Sequence, residues 1–173
     1  MRVIDFFDKG CELDPDAAAF VTLEGRRTSY GELRTASNRV AAALAAGERP
    51  APRVAVLSPN DWRAFVPILA AFRAGGVWIP INARNSLADN IDFLGLVEVD
   101  WLFFHSSMEP SVREIARALT GISRLICLDT PLDGYASLHG LMAEHEQAPV
   151  PDIPEDPLLP VVMMQTGGTT GRS

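Results

Sequence analysis

Apolar positions along this chain follow two alternating rhythms. In "TSYGELRTASNRVAAALAAG", residues 28–47, Leu33, Ala36, Val40 and Leu44 recur at helical spacing. Ser29 and Glu32 form an S-x-x-E capping box, in which hydroxyl and carboxylate satisfy two orphan backbone N–H groups, and Gly47 suits the stop. "RVAVLS" then reads as a buried strand, followed by a helix from near Asn60 to Gly75–Gly76 that Pro67 must bend or start. "VWIPI" is a second strand. Ser86 and Asp89 open a helix carrying Leu87, Ile91, Leu94 and Val97, and "DWLFF" is a third strand. A helix around Val112, Ile115 and Leu119 leads to "RLICLD", a fourth. Strands alternating with helices of this length predict βαβ units, hence an α/β fold with a mostly parallel sheet flanked by helices. Its buried strands are expected at 54–57, 77–79, 102–104 and 125–128.

The rhythm breaks at residue 149. Pro149, Pro151, Pro154, Pro157 and Pro160 fall close together with Asp152, Glu155 and Asp156, which predicts an extended connector. "LPVVMMQ" reads as one more strand, running straight into "TGGTTGRS". The expected organisation is therefore an α/β unit over 1–148, a proline-rich connector over 149–160, and a strand with the start of a loop over 161–173.

Composition narrows the function. Apolar residues make up 47% and charged residues 21%, ordinary for a globular chain of 173 residues, and the net charge is −7. Acids scattered along such a chain argue against nucleic acid or an anionic membrane surface as partner. The longest apolar run, 65–72, contains Pro67 and is too short to span a bilayer. Asp5, Asp8 and Glu12 occupy the N-terminus, without the apolar core of a signal peptide, so the expected compartment is the cytoplasm. Cys11 and Cys127 are expected as buried or partly buried free thiols. Lys9 is the sole lysine and sits in a polar stretch that reads as solvated.

The candidate chemistry lies at 166–173. Gly167, Gly168 and Gly171 allow successive N–H groups to turn inward as an anion-binding nest, and Thr166, Thr169, Thr170 and Ser173 add hydroxyl donors. A neutral, donor-rich loop after a strand in an α/β sheet suits phosphate oxygens; a flexible surface turn is the alternative. The Walker pattern fails, because Arg172 replaces its lysine and Thr166 its first glycine, and G-x-G-x-x-G is absent.

"TGGTTGRS" resembles the phosphate-binding loop of the adenylate-forming enzymes: acyl-CoA synthetases, peptide-synthetase adenylation domains and luciferases. Their pattern [TS]-[SG]-G-[ST]-T-G-x-[PS]-K is matched from Thr166 to Ser173 up to the lysine, which would come next. "TSYGEL" at 28–33 and "AFRAGGVWIPINAR" at 71–84 resemble two further family segments in the family's order, with Ala83 and Asn85 as departures.

The resemblance implies the first subdomain of a large N-terminal domain, and an enzyme that joins a carboxylic acid to AMP and passes the acyl group to coenzyme A. It implies ATP, Mg²⁺ and coenzyme A as cofactors. Thr166, Gly167, Gly168, Thr169, Thr170, Gly171 and Ser173 would hold the phosphates, and Arg172 fills a variable position. No catalytic or metal-ligating residue is assigned here. The acid pocket and catalytic lysine would lie downstream, so the chain alone is expected to be inactive and, with an uncovered apolar face, to self-associate. Two alternatives stay open: a peptide-synthetase adenylation domain, and a small non-catalytic α/β binding domain. His139 and His145 lack a zinc spacing, His105 is expected in a hydrogen-bonded structural role, and Trp62, Trp78 and Trp101 are expected in the core.

Overall fold

The computed structural model describes residues 1–153, 156 and 158–165. Helix α1 (Val3–Leu13) and an antiparallel hairpin of β1 (Ala18–Val21) and β2 (Arg27–Ser29) precede helix α2 (Tyr30–Ala45). The chain then runs β3 (Arg53–Leu57), α3 (Phe65–Arg73), β4 (Val77–Pro80), α4 (Leu87–Leu96), β5 (Trp101–Phe104), α5 (Glu109–Ala118), β6 (Arg124–Cys127), β7 (Ala136–Ser137) and α6 (Leu138–Glu144). Strands β3 to β7 form one parallel sheet in the order β4-β3-β5-β6-β7. The α/β fold and the four strands expected from the pattern are those the chain adopts.

Successive strand residues face opposite sides, and both sides are covered. Val54, Val56, Trp101, Phe103 and Ile126 pack with Leu33, Val40 and Leu44 of α2, Ala70 of α3 and Leu138 of α6. Ala55, Leu57, Leu102, Phe104 and Cys127 pack with Phe93 and Leu94 of α4 and Val112 and Ile115 of α5. This two-sided burial explains why the strands read as apolar runs rather than alternations.

Local chemistry sets the helix starts. The Ser29 amide donates to Glu32 Oε2 at 2.7 Å and the Glu32 amide to Ser29 Oγ at 3.1 Å, so the capping box is present at α2. Ser86 Oγ accepts from the Asp89 amide at 3.1 Å and caps α4. The helix expected from near Asn60 is two pieces, a 3₁₀ turn over Trp62–Ala64 and then α3. Pro67 lies in the first turn of α3, where its missing N–H costs nothing, so it marks a start rather than a bend. Gly75 ends α3 at φ +66°, and at Gly76 a Cβ would lie 2.4 Å from the Pro52 carbonyl oxygen. Both positions therefore require glycine.

The structure corrects the sequence reading in two places. The strand expected from "LPVVMMQ" is a single parallel bridge, Val162 opposite Trp78. The Trp78 amide donates to the Val161 carbonyl at 2.9 Å and the Met163 amide to the Trp78 carbonyl at 3.0 Å. The next rung of a parallel ladder would need an N–H from residue 80, and Pro80 has none. The polar N-terminal stretch is helix α1, seated by buried Ile4 and Cys11 and by an ion pair from Asp8 to buried Arg73. Trp101 is buried as expected; Trp62 and Trp78 pack against the same core, as expected, but are only partly buried. The Trp62 ring carries the Arg26 and Arg63 guanidinium groups over its face. Cys11 and Cys127 are free and buried, and burial raises both thiols above their ordinary pKa.

Candidate functional site

The sheet reverses its winding at β3. The chain passes from β3 to β4 on one side, then crosses to β5 on the other. Ligands of open α/β sheets bind beyond the C-terminal strand ends near such a reversal. Here that rim is built from residues 58–61 after β3, 81–86 after β4, 105–108 after β5 and 128–130 after β6.

At the reversal, His105 joins three strand ends. Its Nε2 lies 3.5 Å from Asp129 Oδ2 and 3.9 Å from Asp61 Oδ2. On the other side of the ring, Nδ1 lies 2.8 Å from Ser107 Oγ and 3.1 Å from the Ser107 amide, which leaves Nε2 facing the carboxylates. Asp129 accepts from the Ser106 amide and the Ser106 hydroxyl, each at 2.7 Å. Burial alone would raise the Asp129 pKa; the two Ser106 bonds, with His105 nearby, outweigh it and leave the carboxyl below its ordinary value. Asp61 caps the following turn, accepting from the Arg63 amide at 2.7 Å, and pairs with the Arg63 guanidinium at 2.9 Å. Both carboxylates are thus occupied, and the cluster fastens the β3, β5 and β6 ends together. His105 is hydrogen-bonded at a strand end, as expected.

The sequence-predicted residues Thr166, Gly167, Gly168, Thr169, Thr170, Gly171 and Ser173 lie outside the described residues. The run that leads into them is described. Residues 161–163 lie parallel to the edge strand β4, and with Val162 level with Trp78 this register carries Gln165 to the C-terminal rim, just past Pro80. There Asn85 Nδ2 donates to Gln165 Oε1 at 3.2 Å. Asn85 belongs to a turn in which its amide donates to the Asn82 carbonyl at 3.1 Å and the Arg84 amide to Asn82 Oδ1 at 2.9 Å. Asn90, 5% exposed on α4, donates from Nδ2 to the same Asn82 carbonyl at 3.3 Å. Its Oδ1 is buried without a donor among the described residues.

Sequence patterning does not single out Asn82, Asn85 and Asn90. The available signal was three asparagines directly after a strand, which reads as ordinary turn chemistry. Their juxtaposition with Gln165 spans 80 residues, and no local pattern carries it. Among the described residues no three His, Cys, Asp or Glu side chains are grouped so that they could hold a metal ion, and no helix is long and apolar enough to cross a membrane.

Comparison with known proteins adds relatives to this geometry. Residues 7–173 match the family described as AMP-binding enzyme. The chain is 30% identical to 3-[(3aS,4S,7aS)-7a-methyl-1,5-dioxo-octahydro-1H-inden-4-yl]propanoyl:CoA ligase of Mycobacterium tuberculosis, over 92% of this chain and 32% of that protein. It is 26% identical to indoleacetate–CoA ligase of Aromatoleum aromaticum, over 99% of this chain and 34% of that protein. The solved structure of acetoacetyl-CoA synthetase from Streptomyces lividans superposes with a TM-score of 0.85 at 25% identity, covering 99% of this chain and 29% of the other. The chain spans about a third of the length of these curated relatives.

Proposed function

Since the chain belongs to the family of AMP-binding enzymes, we propose that it forms the N-terminal part of an acid–thiol ligase that activates a carboxylic acid with ATP. A carboxylate oxygen attacks the α-phosphorus, an acyl–AMP anhydride forms, and the bond to the β-phosphate breaks to release pyrophosphate. The thiol of coenzyme A then attacks the acyl carbon, giving a thioester, AMP and a proton. The obstacle in the first step is an anion approaching a phosphorus ringed by negative oxygens, so positioning and charge neutralisation carry the catalysis.

In this reading Thr166, Thr169, Thr170 and Ser173 donate hydroxyl hydrogen bonds to the β- and γ-phosphate oxygens, and the Gly167, Gly168 and Gly171 amides turn towards them. Mg²⁺, if bound, would supply positive charge to offset the phosphates; it is an ion that keeps phosphate and water ligands rather than an all-protein cage. The acid pocket and the coenzyme A contacts belong to residues beyond 173, and 1–148, 149–160 and 161–173 serve as sheet domain, connector and loop entry. Exposed Leu158, Leu159, Val161 and Met164 along the outer edge suit a surface against which more of such a domain, or a second copy, packs.

One observation carries the reading: a family match that includes residues 166–173, on a chain whose register delivers Gln165 to the rim of a parallel sheet. The test is acid-dependent exchange of labelled pyrophosphate into ATP by the complete gene product, across a panel of aryl and aliphatic acids. Exchange with at least one acid is expected, followed by thioester formation on coenzyme A; transfer to a carrier-protein thiol alone would favour the peptide-synthetase alternative. The 173-residue chain by itself is expected to give no exchange. A complete protein that neither binds ATP nor exchanges pyrophosphate with any acid would overturn the proposal.

A further inference from the structure

We propose that Asn85 and Asn90, acting through the turn at 82–85, are positioning residues that latch the chain where it leaves the sheet edge at Gln165. The inference rests on the reading of residues 166–173 as a nucleotide-phosphate loop. It begins with what the backbone cannot do. The edge segment is held to β4 by two hydrogen bonds, both to Trp78. The following rung is blocked, because the nitrogen of Pro80 faces the edge segment and carries no hydrogen. Three residues beyond the bridge, at Gln165, a side chain takes over: Asn85 Nδ2 reaches Gln165 Oε1 at 3.2 Å.

Asn85 is itself held. Its amide and the Asn90 side chain both donate to the Asn82 carbonyl, at 3.1 and 3.3 Å, and Asn82 Oδ1 fixes the Arg84 amide. Asn90 sits on α4, whose first turn Ser86 caps, so the turn is referred to a helix packed on the sheet rather than to solvent. Since Asn90 Nδ2 must donate to the Asn82 carbonyl, its Oδ1 is left as a buried acceptor with no donor among the described residues. A latch at Gln165 fixes where the chain enters residues 166–173, and phosphate contacts depend on placement to a fraction of an ångström.

A bland role would have the asparagines brace their own turn and nothing more. Hydrogen exchange and nucleotide binding separate the two. In the complete gene product, Asn85→Ala should speed exchange of the Met163 amide about fivefold and weaken equilibrium ATP binding by a similar factor, the share of one net hydrogen bond. Exchange in β3 and β5 should stay unchanged. Exchanging the two amides, Asn85→Gln with Gln165→Asn, keeps their combined reach and should restore both readouts. Asn90→Ala should move them in the same direction; if that variant fails to fold, Asn85, on a partly exposed turn, carries the test alone. Unchanged Met163 exchange in Asn85→Ala overturns the latch, as does faster exchange with ATP binding intact. A wild-type protein that binds no ATP defeats the functional reading instead, and the exchange readout remains to judge the latch.

Discussion

Asp8→Ala should destabilise the protein by about 2–3 kcal/mol, through a charge 65 positions away. Arg73 is 6% exposed, and its guanidinium meets Asp8 through two bonds, Nη1 to Oδ2 at 2.8 Å and Nη2 to Oδ1 at 2.5 Å. Its Nε donates to Ser37 Oγ at 3.0 Å, which ties α1, α2 and α3 at one point. Removing the carboxylate leaves a buried cation with one neutral partner. Breaking a fully buried pair costs about 3–5 kcal/mol; the Asp8 side chain keeps 26% of its exposure, so the lower part of that range or slightly less applies. For a chain of this size the loss is about 5–10 °C in Tm. Urea unfolding followed by far-UV circular dichroism measures it, and hydrogen exchange should show α1 released first, since Ile4 and Cys11 are its buried residues. The double variant Asp8→Leu with Arg73→Met should recover most of the loss, because an apolar pair needs no desolvation. A single variant within 0.5 kcal/mol of wild type would show that solvent screens the pair, and the reasoning would fail.

Gly76→Ala should cost about 3 kcal/mol or more, because the new Cβ would sit 2.4 Å from the Pro52 carbonyl oxygen, an atom that already accepts from the Val77 amide at 2.8 Å; thermal melts decide it, and a variant as stable as wild type would show that the β3–β4 entry can spread. Asp129 has a pKa lowered in the fold, so its contribution is present above the ordinary carboxylate value near 3.8 and is lost as the pH falls through the lowered one. Asp129→Asn should therefore be less stable than wild type at pH 6, with the gap closing below about pH 4; a gap that does not change with pH would remove the carboxylate from the account. If residues 166–173 hold the ATP phosphates as proposed, Thr169→Ala with Thr170→Ala in the complete gene product should lower kcat/KM for ATP far more than it affects acid binding. Each lost charge-assisted bond is worth about 1.5–3 kcal/mol, and an unchanged kcat/KM for ATP would take the loop out of the nucleotide site.

The parts of this fold legible in sequence are those whose cause is local or periodic. The capping box at Ser29 and Glu32 and the cap at Ser86 work within three residues, and both stand in the structure. The apolar runs at β3 to β6 are read correctly because both sheet faces are covered. Helix α1 was less visible: Ile4, Phe7 and Cys11 do recur at helical spacing, but three charges lie among them and Phe6 and Leu13 remain exposed. Its seat is the long-range pair with Arg73. The bridge at Val162 failed as a strand for a reason written in another segment, the missing hydrogen of Pro80. The loop residues were identified by motif resemblance and lie outside the described residues, whereas the Asn85–Gln165 bond at their base is a product of the fold.

Pro80 has a second consequence, for the company the protein keeps while it is crowded or half-folded. A parallel sheet with free rims is a template on which foreign chains can lengthen, rung by rung, into fibres. Among the described residues, the outer edge of β4 is taken by the chain's own residues 161–163 and ends at a proline unable to donate, and the other edge is β7, two residues long. Neither gives an intruding strand enough consecutive rungs to settle. Restoring the hydrogen with Pro80→Val would offer the Met163 carbonyl one more rung and lengthen the chain's own edge ladder, so the proline sets where the edge segment parts from the sheet.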